Sequence, residues 1–121
     1  MERTTFETLV RRVLSAIPRE FRAYLENVDV IVEDWPTTVQ LKTHSLTDED
    51  VLLGLYEGVP LTERHDYVRV LPDRITIFQG SIEMICESEE QMVEEIRITV
   101  VHEVAHHFGI DDARLHELGV A

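Results

Sequence analysis

A single cysteine, Cys86, rules out an intramolecular disulfide, so no oxidised framework can hold this 121-residue chain together. Basic side chains are scarce. Eleven Lys and Arg face twenty-four Asp and Glu, for a formal charge of -13. That balance argues against a protein whose task is to grip a phosphate backbone, since such binding depends on basic residues neutralising phosphates. Long apolar runs are missing too, so no segment suits a membrane span of about 18 residues or more. Near the start, residues 6–17 are interrupted by Glu7, Arg11 and Arg12 and lack the unbroken apolar core of a signal peptide. The expectation is a protein of the reducing cytoplasm with neither a nucleic-acid nor a membrane partner. There is no repeat, no low-complexity tract and no Gly/Ser/Pro-rich linker, so residues 1–121 read as one domain. Hydrophobic residues at 44% and charged residues at 29% are ordinary globular proportions, sufficient for a buried core.

Periodicity orders the rest. Thr4, with Glu7 three residues on, reads as a capping box, and Phe6, Leu9, Val10, Val13, Leu14 and Ile17 recur as a helical stripe. Pro18 stops that helix and can occupy the first position of a short second one carrying Phe21, Tyr24 and Leu25. Residues 28–32, 51–56 and 74–78 read as strands, and 58–72, with two prolines, as a loop. The clearest element lies in the last third. Ser88, followed by Glu89, Glu90 and Gln91, reads as a capped start with carboxylates at the positive end of the helix dipole. Val93, Ile96, Val100, Val104 and Phe108 then keep one stripe until Gly109, which suits a left-handed C-terminal stop. The spacing predicts one helix over residues 89–108.

That helix carries His102-Glu103-Val104-Ala105-His106. Side chains four apart lie one turn apart on one face, so both imidazoles can reach a single ion. Glu103 is offset by about 100° around the axis and stands beside that ion. A carboxylate there can take a proton from an activated water and pass it to a leaving amine. Two imidazoles with a carboxylate suit Zn²⁺. For a third ligand the pattern runs on through Gly109 to Asp112, the first choice, with Asp111, His116 and Glu117 as alternatives. His107 points about 100° away from His106 and reads as a packing residue. His44 and His65 fall on loops and read as surface residues. The acids from Glu83 to Glu95 read as a solvated face. Tyr56, Tyr67 and Arg97 are candidates for polarising a carbonyl.

The segment from Val101 to Asp112, with Leu115 and the closing Leu118-Gly119, resembles a family of small bacterial zincin-like proteins, predicted zinc metallopeptidases of about this length. Residues 53–58 and 74–80 resemble that family as well. The resemblance implies an α/β fold of the α+β kind: helices packed on a small, twisted, mixed sheet, with the motif helix lining a shallow cleft. It also implies zinc at His102 and His106, with Glu103 as the base. The methionine-bearing turn of the larger metzincins has no counterpart here.

Two functions from different classes follow. One is a zinc peptidase acting on a peptide or protein that lies along an edge strand near Ile75, Ile77 and Phe78. The other is a metal-stabilised binding or regulatory module that keeps the geometry without turnover. A metal-dependent RNA hydrolase is a third reading, disfavoured by the acidic charge and the intact Glu103. Oligomeric state is not legible.

Overall fold

The computed structural model describes residues 1–58 and 71–121. In chain order the elements are α1 (Arg3–Ala16), α2 (Arg19–Arg22) running into a 3-10 turn (Ala23–Leu25), β1 (Val28–Glu33), α3 (Thr38–Thr43), β2 (Gly54–Glu57), β3 (Asp73–Phe78), α4 (Gln79–Ile85), α5 (Glu89–Phe108) and α6 (Asp112–Glu117). The three strands form one mixed sheet in the order β1-β3-β2, an α+β arrangement. β1 runs parallel to β3, pairing Val30 with Ile75 and Val32 with Ile77. β2 runs antiparallel to β3, pairing Gly54 with Ile77 and Tyr56 with Ile75.

This order corrects one expectation. β3 is the central strand, hydrogen-bonded on both sides, and Ile75, Ile77 and Phe78 are fully buried. It offers no free edge to a peptide, so Ile75, Ile77 and Phe78 are core residues. Among the described residues β1 and β2 flank it on either side.

The core forms where α1 and α5 meet the sheet. Phe6, Leu9, Val10 and Val13 of α1 join Ile75 and Ile77 of β3 and Ile96, Val100 and Val104 of α5 in one cluster. Because side chains alternate along a strand, Ile75 and Ile77 share one face. Helix α5 has the boundaries its sequence predicts. The Ser88 hydroxyl accepts from the Gln91 N–H at 3.2 Å, and Gly109 closes the helix at φ 68°. Two stripe members deviate: Val93 is half-buried and Phe108 is 45% exposed. At α1 the helix begins at Arg3 after Glu2, with no side-chain cap, so the box expected at Thr4 and Glu7 does not form. Pro18 precedes α2 as its N-cap. β2 is shorter than expected and starts at Gly54.

Helices α3, α4 and α6 were not anticipated from periodicity. Each is short. α3 starts from a reciprocal capping box between Thr37 and Gln40, and α6 from the Asp111 carboxylate, which accepts from the Arg114 N–H at 2.8 Å. Arg3 ties the chain start to the sheet, donating to the Val32 carbonyl at 2.8 Å, to Gln79 Oε1 at 2.9 Å and to the Asp34 carboxylate. Among the described residues no helix is long and apolar enough to cross a membrane.

Candidate active site

Gly54 brings α5 and β2 together. A Cβ there would lie 2.4 Å from the Thr99 methyl and 3.0 Å from the Thr76 carbonyl oxygen, so only glycine lets the edge strand lie this close to the helix. The register fixes which β2 groups turn outward. Phe78 donates its N–H to the Leu53 carbonyl, so Leu55 and Glu57 continue the ladder toward β3, while the backbone of Gly54 and Tyr56 faces away from it. The outward Tyr56 N–H donates to Glu103 Oε1 at 2.9 Å. The half-buried carboxylate of the motif is thus held at the junction of helix and sheet edge.

Glu103, His106 and His107 from α5, Leu55 and Tyr56 from β2, and His44 and Leu52 from the segment before β2 line a cleft of about 240 Å³. His102 and His106 are both exposed and lie one turn apart on α5. Asp112, at the start of α6, is exposed and lines a neighbouring groove together with His102, whereas His106 faces the cleft beside Glu103. As the side chains stand, no three His, Cys, Asp or Glu among the described residues converge to hold an ion. The donor chemistry nevertheless suits zinc: two solvent-facing imidazoles at one-turn spacing, an adjoining carboxylate, and an exposed carboxylate just past the helix end.

The sequence profile of the zincin-like metallopeptidases matches residues 25–120. The chain belongs to that family. The zincin-like match takes in the sheet, α5 and α6. A solved structure described as a conserved hypothetical protein from Thermo thermophilus is similar in fold, with a TM-score of 0.57 and 21% identity, covering 88% of this chain and 92% of that one. No curated protein matches significantly.

The remaining candidates of this zincin-like chain separate cleanly. The Tyr56 hydroxyl donates to Asp73 Oδ2 at 2.6 Å, and its ring stacks on His107 with centroids 3.9 Å apart. His107 therefore packs, as its angular offset from His106 implies, and its Nε2 lies 3.9 Å from Asp73 Oδ2. Phe108 closes the cluster edge-on to both rings. Arg97 lies away from the cleft. It donates to the Val120 carbonyl at 2.8 Å and is bidentate to Glu94, a pairing that lowers the Glu94 pKa and raises that of Arg97. Asp111 caps α6. His65 and Tyr67 lie outside the described residues, as does most of the loop expected over 58–72. His44 is the residue whose place the sequence reading missed. It is exposed, as expected, but the end of α3 sets it on the cleft wall. The Thr37-x-x-Gln40 capping signal that starts α3 was the available clue. Cys86 stands apart from the site, and burial, aided by Glu95, pushes its thiol pKa up.

Proposed function

We propose that this chain is a zinc-dependent peptidase in which His102, His106 and Asp112 hold the ion and Glu103 is the general base. The observation that carries this reading is the 2.9 Å bond from the Tyr56 N–H to Glu103 Oε1, which anchors the base between the motif helix and strand β2. Zn²⁺ held there would supply Lewis-acid polarisation and a water of lowered pKa. Ligation by Asp112 requires its exposed side chain and the two exposed imidazoles to turn toward one point, which exposed side chains do on a ps–ns timescale.

The protein's own residues do the rest. The Tyr56 N–H holds the Glu103 carboxylate in position at the cleft, where it can accept a proton. Glu103 then passes that proton to the departing amine. A peptide bound in the cleft lined by Leu55 and Tyr56 brings its scissile carbonyl beside Glu103. Of the groups considered for polarising that carbonyl, Tyr56 is engaged with Asp73, Arg97 bonds the Val120 carbonyl, and Tyr67 lies outside the described residues. Among the described residues His44 is the ionisable side chain of the cleft that is neither ligand, base nor stacked partner, and it takes that role.

A second reading, a metal-stabilised binding module without turnover, draws on the same structure: the described side chains do not converge on an ion, and Glu103 already holds a backbone N–H. Protein purified without added zinc or a nickel resin separates the two. Elemental analysis is expected to find one ion per chain, lost in the His102→Ala, His106→Ala double variant. Peptide-library cleavage at matched zinc is expected to fall at least ~10²-fold in Glu103→Gln with metal retained. In Asp112→Ala, metal affinity and cleavage should fall together. Bound zinc without any cleavage by the wild type would favour the binding module. Full metal retention in the double variant would remove both readings.

A further inference from the structure

A second recess, of about 410 Å³, has the construction of a binding site. Trp35, the only tryptophan, forms one wall and is 55% exposed. The indole does not swing freely: a Cβ at Gly80 would come within 2.4 Å of its Cε2, so the ring is seated on the bare backbone of α4. The Gly80 N–H donates to the Asp34 carbonyl at 2.8 Å and holds the two segments together. Leu41 and the 58%-exposed Met84 extend the apolar surface. Three carboxylates, Asp48, Glu49 and Asp50, line it too, and among the described residues no basic side chain does. Ser81 also lines it. That residue is only 2% exposed, and its hydroxyl has no protein partner among the described residues. An unsatisfied buried hydroxyl is costly, and a ligand N–H would satisfy it.

We propose that this recess docks a lysine-bearing, otherwise apolar segment of a partner protein. A face of indole attracts a cation, the carboxylates neutralise it, and the compact ammonium has three donors to divide between carboxylates and the Ser81 hydroxyl. The apolar surface takes the lysine stem and its neighbours. The recess and the cleft draw on near neighbours in the chain: Leu41 and Val51 line the recess, His44 and Leu52 the cleft. A segment seated over Trp35 therefore lies beside the cleft, although its docking does not depend on hydrolysis there.

Because Trp35 is the only tryptophan, its emission reports on the recess directly. The full chain is titrated with a capped heptapeptide of alternating leucine and lysine, and with a twin whose lysines are all acetylated. Saturable change with the lysine peptide is expected, weakening with salt. Affinity should be about fivefold or more lower for the acetylated twin and for the Asp48→Asn, Glu49→Gln variant. Asp50 is left intact because its Oδ2 accepts the Thr47 N–H at 2.7 Å and holds the loop. Calorimetry should show the same loss in Trp35→Ala, with circular dichroism verifying that each variant is folded. The His102→Ala, His106→Ala variant should bind as wild type does. Equal affinity for the twin peptides, or no emission change up to millimolar peptide, would overturn the proposal. So would an emission change driven by protein concentration alone, which would make the occupant a second copy of the chain.

Discussion

Gly54→Ala tests the contact on which the candidate site depends. The added methyl would sit 2.4 Å from the Thr99 methyl, 3.0 Å from the Thr76 carbonyl oxygen and 3.4 Å from Ile77 Cδ1. The first distance is a clash that neither partner can relieve cheaply, because Thr99 is β-branched and its hydroxyl is bonded to the Glu95 carbonyl at 2.7 Å. Overpacking of this kind costs about 1–3 kcal/mol. For a domain of this size that corresponds to a fall in unfolding midpoint of roughly 3–15 °C. The strain should also separate β2 from α5 and lengthen the Tyr56–Glu103 bond, so any Glu103-dependent turnover should fall more steeply than stability. Thr99→Ser removes the clashing methyl while keeping the hydroxyl, and the double variant should recover a large part of the loss, short of all of it because the Thr76 carbonyl contact remains. Thermal unfolding of the two single variants and the double variant, read as a cycle, measures the coupling. A neutral Gly54→Ala, or strictly additive effects, would show that β2 does not rest on Thr99.

Val100→Ala, at a fully buried position between α5 and the sheet, should cost about 1–3 kcal/mol by denaturant titration; no change in midpoint would place the stripe in solvent. The Glu94 carboxyl titrates below its ordinary range because of its bonds to Arg97, so the pair's contribution is present above the unfolded carboxylate pKa and lost as pH falls through the lowered one. Unfolding midpoints of wild type and Glu94→Gln should therefore converge in acid. Burial raises the Cys86 thiol pKa, so at neutral pH iodoacetamide should alkylate it more slowly than it does after unfolding in denaturant, as mass spectrometry would show.

Everything about α5 that depends on neighbours within a turn was legible in the sequence: its start at Ser88, its stop at Gly109, and the one-turn spacing of His102 and His106. Capping, dipole and glycine signals act over three or four residues, so they survive without tertiary context. The short helices α3 and α6 lie at the margin of that regime. Six residues are too few to establish a period, although Thr37 and Asp111 mark their starts.

What lay beyond the sequence depends on pairing between distant segments. Alternation marked residues 74–78 as a strand but could not tell an edge from a centre, because strand order is decided by which segments close the sheet and bury its faces together. The Glu103 carboxylate finds its donor 47 residues away, on an edge strand brought close by the missing side chain of Gly54. His44 reads as a loop residue in the sequence and stands on the cleft wall in the fold. Local chemistry determined which groups could act. Only the packing of β2 against α5, a balance of burial against chain entropy over the whole domain, decided which of them meet.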